Sequence, residues 1–142
     1  MTIIQAALAA ALTASSLLAG TALFAGDNDT AEKFAADRLA LFGKGDASGL
    51  IAQYAEDAIV ITPMGVLRGR DQIKGMIDGI IGEFAQPGVT FNLQTRNAEG
   101  DVVAFTWNAV TASNTYDLGA ETYFLKDGMV EYQTFAAKVT PR

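Results

Sequence analysis

An α+β fold is what this 142-residue chain predicts, and three observations carry the prediction. Helix-period apolar spacing dominates as far as Phe84, with one β-branched run, Ala58–Thr62, set inside it. From Val89 onward the pattern is that of successive strands separated by short turns. Half of the residues are hydrophobic and 18% are charged, which suits a single domain that buries its own core and excludes overall disorder.

In chain order, residues 1–26 contain no charged side chain and run through Ile3-Ile4, Leu8, Leu12 and Leu17-Leu18 to small residues near Gly26. This reads as a secretory signal peptide, and it makes the mature protein periplasmic or secreted, with no stable membrane insertion after cleavage. The domain proper is then 27–142. Asp29 and Glu32 have capping-box spacing and open a helix whose inward face carries Phe34, Arg38, Leu41 and Phe42. Gly43-Lys44-Gly45 ends it, and Asp46 caps a short second helix reaching about Tyr54. Glu56-Asp57 turns the chain into the strand Ala58–Thr62, which Pro63-Met64-Gly65 breaks. Arg68 and Arg70, paired with carboxylates such as Asp71, hold the loop before a third helix from Gln72 to Phe84, with Ile73, Met76, Ile77, Ile80, Ile81 and Phe84 inward. Four strands follow: Val89–Arg96, Asp101–Ala112, Tyr116–Leu125 and Met129–Thr140. The last two are joined across Asp127-Gly128, a pair suited to a type I′ turn. Helices segregated from an antiparallel meander give the fold class.

The chain has no cysteine and no histidine. Thiol nucleophiles, histidine general bases, Ser-His-Asp triads and thiolate or imidazole metal sites are therefore excluded. No carboxylate cluster resembles a calcium loop, so no metal and no cofactor are expected. A net charge of −6 argues against nucleic acid as a partner.

The segments Lys44-Gly45-Asp46, Tyr54-Ala55-Glu56-Asp57-Ala58 and Pro63-Met64-Gly65-Val66-Leu67-Arg68-Gly69-Arg70-Asp71-Gln72-Ile73 resemble the nuclear transport factor 2-like superfamily. Within it, the SnoaL-like and ketosteroid-isomerase-like branch is the nearest in motif order and spacing, over Asp29–Val139. The resemblance implies three N-terminal helices packed on a curved meander sheet, forming a cone with a mostly apolar pocket. It also implies pairing of two copies, hence a homodimer. Position by position, the isomerase aspartate base corresponds to Thr62, the oxyanion-hole tyrosine to Arg38 and the oxyanion-hole aspartate to Glu121. A threonine hydroxyl cannot be the resting base, so steroid isomerisation by that mechanism is not expected.

If the family register holds, Glu121 and Tyr123 face the cone interior, joined by Tyr132 and Thr134 on the last strand, by Trp107, and by Tyr54 and Thr62. These are the candidate pocket residues, with Glu121 and Arg38 as the candidate acid/base pair. Both would be buried charges, and the resemblance puts them side by side, so a direct and ideally bidentate ion pair is expected. Three function classes remain open: a binder of a small apolar or amphipathic molecule, a SnoaL-like enzyme using Glu121, and a dimeric assembly module with a residual pocket.

Overall fold

The computed structural model describes residues 22–142, with side chains from residue 28 onward. The expected leader, 1–26, lies mostly outside the described residues. Helix α1 spans Ala22–Gly43 and α2 spans Ala47–Ala52. Strands β1 (Tyr54–Thr62) and β2 (Gly65–Arg68) form a hairpin, and α3 follows at Gly69–Phe84. Then come β3 (Thr90–Glu99), β4 (Val102–Val110), β5 (Asn114–Lys126) and β6 (Met129–Pro141). The six strands make one sheet in the order β2-β1-β6-β5-β4-β3.

Several expectations hold locally. Asp46 caps α2, its carboxylate accepting from the Gly49 backbone N–H at 2.9 Å. Asp127 and Gly128 both have positive φ, as the type I′ hairpin requires. Ile73 and Ile77 are the buried stripe of α3.

Four features differ. First, α1 begins upstream of Asp29, because the Ala-rich chain continues the helix; Glu32 serves instead as an acceptor for Arg96 of β3, and the Asn28 side chain accepts from Gly100 N. Second, β1 begins at Tyr54, since Tyr54 pairs with Val130 in a parallel ladder that continues past a bulge to Ile59; Glu56 and Asp57 lie within the strand. The sheet is therefore antiparallel except at β1·β6. Third, Pro63-Met64 does not simply break the strand: with Gly65 at φ 142 the chain folds back, and Thr62 pairs with Gly65 to start the edge strand β2. Fourth, Arg70 donates from Nε to the Tyr54 carbonyl at 2.7 Å, and the Arg68 backbone N–H donates to the Gln72 side chain at 2.8 Å, in place of pairing with Asp71.

Register irregularities occur in the β1·β6, β3·β4, β4·β5 and β5·β6 ladders. Bulges of this kind bend strands, and here they curl the sheet around the helices. The inner face carries Val60, Val103, Phe105, Trp107, Tyr123 and Val130, packed on Phe34, Ala35, Leu50, Ile73 and Ile77. One bulge decides the site. Phe124 pairs with Tyr132 and Leu125 with Val130, so Glu131 is an extra residue and the alternation of β6 shifts by one. Val130 and Gln133 are buried, while Tyr132, expected inside, is 44% exposed and Thr134 is also exposed. Both lie on the outer face; Gln133 and Phe135 take the inner positions opposite Tyr123 and Glu121.

Candidate functional site

Arg38 enters the cone from the middle of α1, one turn beyond Phe34, and is only 7% exposed. Its guanidinium lies 5.2 Å from the ring centroid of Tyr54 and 5.0 Å from that of Tyr123. Nη1 donates to the Leu50 carbonyl and to Gln53 Oε1, both at 3.3 Å, where the end of α2 presents them. Nη2 donates to the Tyr54 hydroxyl at 2.9 Å, and Nε to the Tyr123 hydroxyl at 3.2 Å.

Two relays lead from there to Glu121. The Tyr54 hydroxyl donates to Gln133 Oε1 at 2.5 Å, and Gln133 Nε2 donates to Glu121 Oε2 at 3.3 Å. The Tyr123 hydroxyl donates directly to Glu121 Oε2. Arg38, Tyr54, Gln133, Glu121 and Tyr123 thus close a ring of hydrogen bonds. The other carboxylate oxygen, Oε1, accepts from the Trp107 indole at 2.9 Å.

The direct Arg38–Glu121 ion pair is not formed. Tyr123 follows Glu121 by two residues on the same strand face, so its phenol reaches inward beside the carboxylate and stands between the two charges. Burial works against the Arg38 charge, yet the oxygens of Tyr123, Tyr54 and Glu121 more than offset it and raise its pKa. Burial likewise pushes the Tyr54 and Tyr123 phenols above the usual tyrosine range, against the pull of the Arg38 cation. Both phenols are donors at neutral pH, not bases.

The cavity has two lobes that meet at Glu121, Phe42, Ile80 and Phe135. The inner lobe is about 50 Å³ and is bordered by Arg38, Leu50, Phe105, Tyr123 and Gln133. The outer lobe is about 120 Å³ and is bordered by Phe84, Phe91, Trp107 and Tyr116. Gly119 makes room for the Trp107 ring that borders it, since a Cβ there would come within 2.2 Å of that ring. At the rim, Glu83 of α3 accepts from the Thr111 hydroxyl at 2.6 Å, and from Asn114 Nδ2 and the Tyr116 hydroxyl, each at 2.8 Å. Partial burial opposes the Glu83 charge, but the three donors outweigh it and lower its pKa. Burial, and then Glu83 itself, push Tyr116 up to about 12.

Of the expected site residues, Arg38, Tyr54, Trp107, Glu121 and Tyr123 come together inside the cone. Thr62 lies at the β1–β2 turn, where its hydroxyl donates to the Gly65 carbonyl, and it borders a separate outer groove. Tyr132 and Thr134 face outward. Gln133, Phe91, Tyr116 and the Glu83 cluster were not foreseen. For Gln133 the missing signal was the bulge at Glu131; for the aromatics, Phe42 and Phe84 already stood on inward helical faces, and Phe91 begins a strand aimed at them.

A sequence profile described as SnoaL-like domain matches residues 35–133. Among solved structures, an NTF2-like protein of unknown function from Mesorhizobium loti superposes with a TM-score of 0.67 at 20% identity, covering 78% of this chain and 93% of that one. A SnoaL-like protein of unknown function from Burkholderia thailandensis gives 0.62 at 18% identity, covering 78% and 95%. An LEH-like epoxide hydrolase of M. tuberculosis gives 0.61 at 12% identity, covering 78% and 84%. At these identities the likeness is one of fold. Among curated proteins, none matches the sequence.

Proposed function

The chain belongs to the SnoaL-like domain family, and we propose that it is a binding member of that family, taking a small, largely apolar molecule in the cone. The observation that carries this reading is the two-lobed cavity, walled by aliphatic and aromatic side chains with one carboxylate at the junction. Acid/base catalysis by Glu121 has less support. Its Oε2 already accepts from Tyr123 and Gln133, and the neighbouring phenols are held protonated.

Export to the periplasm or beyond is part of the proposal, resting on the charge-free segment 1–26. So is a homodimer through the outer sheet face, where Phe124, Tyr132, Val102 and Leu118 are all exposed apolar or aromatic groups. Native mass spectrometry of protein purified from its own cells tests the three together. A co-purified small molecule, a dimer mass and a chain beginning between Thr21 and Asp29 are expected. An intact Met1 would overturn export. An empty monomer whose fold is undamaged would overturn binding and pairing.

A further inference from the structure

The outer lobe is the part of the cavity that the Arg38 network leaves unused. Six aromatic rings border it, those of Phe42, Phe84, Phe91, Trp107, Tyr116 and Phe135. They are set against one another at 5.1 Å for Phe42 and Phe91, 5.8 Å and nearly perpendicular for Phe84 and Trp107, and 5.6 Å for Trp107 and Tyr116. Aromatic faces carry the negative part of the ring quadrupole. Glu121 is the one charged residue bordering this lobe, whereas Arg38 borders the inner lobe.

The carboxylate is unevenly used. Oε2 accepts two hydrogen bonds and Oε1 accepts one, from Trp107, so Oε1 keeps a lone pair. The two side-chain donors that border this lobe, the Trp107 indole and the Tyr116 hydroxyl, already donate to Glu121 and to Glu83. The lobe therefore offers a wall of aromatic rings and an acceptor, and no bordering side-chain donor that is not already committed. Its chemistry suits a cation that also buries carbon. At about 120 Å³ it is somewhat smaller than the ~150 Å³ cavity that admits benzene, a fit for a head group of a few methyls around one nitrogen.

We propose that the outer lobe is a binding site for the head group of a small alkylammonium ion, a quaternary ammonium or a protonated tertiary amine, seated among the rings beside Glu121 Oε1. This rests on the reading of the cone as a ligand pocket and names the ligand class for it. Glu83, bonded to the Tyr116 hydroxyl, adds a second negative charge at the rim. Lys44 borders the neighbouring outer groove and not the lobe.

Trp107 is the chain's single tryptophan and borders this lobe, so its emission reports binding there without interference from a second indole. The test titrates the purified protein, at constant ionic strength, with choline chloride and with 3,3-dimethylbutan-1-ol, an uncharged molecule of the same shape. Choline is expected to bind about tenfold or more tighter than the alcohol, a difference of about 1.4 kcal/mol. Glu121→Gln should bring the two within about twofold of each other. Phe91→Leu, at the half-buried rim and outside the Glu121 network, should weaken choline by about threefold or more while changing the alcohol less; it keeps the test decisive should Glu121→Gln fail to fold. Equal or tighter binding of the alcohol by the unmodified protein would overturn the cation site and leave the apolar pocket standing. A preference for choline that survives both substitutions would overturn the assignment to this lobe. No response to either compound would overturn the cation site and the pocket reading together.

Discussion

The inner lobe at Arg38 and the outer lobe at Trp107 share Glu121 and differ in what their polar groups are doing. Around Arg38 the groups are spent on one another. The guanidinium has four acceptors and two ring faces, the phenols and Gln133 pass hydrogen bonds onward to Glu121, and about 50 Å³ is left over. Among the described residues, no buried side-chain nitrogen or oxygen lacks a partner. Around Trp107 the walls are apolar, one acceptor is unfilled, and the space is more than twice as large. A saturated polar network makes a rigid, single-valued core. An unsaturated acceptor in an aromatic ring makes a place for something else. The difference separates a part that holds α1 to the sheet from a part proposed to hold the ligand.

The largest expected effect breaks the inner lobe. Arg38→Met should cost about 3 kcal/mol in denaturant unfolding, because Tyr54 and Tyr123 lose their donor and Glu121 its buried counter-charge. Because Tyr123 couples the two charges, Tyr123→Phe should make the effects of Arg38→Met and Glu121→Gln closer to additive in a double-mutant cycle. Next, Gly119→Ala pushes on the Trp107 ring that borders the outer lobe. The Trp107 ring must move, at about 1–3 kcal/mol of overpacking, and any ligand signal from that lobe should vanish. The inner ring of hydrogen bonds should survive.

The rim cluster sharpens the comparison through pH. The folded-state pKa of Glu83 is lowered, so its contribution is present above the unfolded value, near 4.5, and is lost as pH falls below it. Tyr116 is raised, so its contribution is full below about 10 and is lost as pH climbs toward about 12. Thermal unfolding followed across pH should show a neutral plateau with both shoulders; Glu83→Gln should flatten the acid one. The smallest effect belongs outside the cone. Tyr132→Ser should change stability by no more than about 0.5 kcal/mol and leave ligand affinity unchanged, though a dimer would loosen.

Most of the architecture was legible because it rests on periodicity and turn chemistry. The Ile73–Ile77 stripe, the Asp46 cap and the Asp127-Gly128 hairpin are local signals, and each appears where those signals put it. The site was legible only in part. Alternation puts Glu121 and Tyr123 on one face of β5, and the family resemblance turned that face, with Trp107 of β4, toward the cone interior. Tyr132 and Thr134 were misplaced because the extra residue at Glu131 inverts β6, and a one-residue shift leaves no mark in a strand whose two faces each mix polar and apolar residues. The direct Arg38–Glu121 pair was misjudged for a different reason. Adjacency of two positions does not say which third side chain stands between them, and here the Tyr123 phenol does.

Trp107 has one indole N–H, donated to Glu121 Oε1, and no other residue in the chain gives such a signal. Its single ¹H–¹⁵N resonance is therefore a direct report on the junction of the two lobes. Upon titration with choline, that resonance should shift and saturate as the lobe fills. The same titration of Gly119→Ala, where the Trp107 ring is displaced from its place in the lobe wall, should leave it still. A resonance that does not move in the unmodified protein, or that moves equally in Gly119→Ala, would contradict the claim that the outer lobe is where this protein binds its ligand.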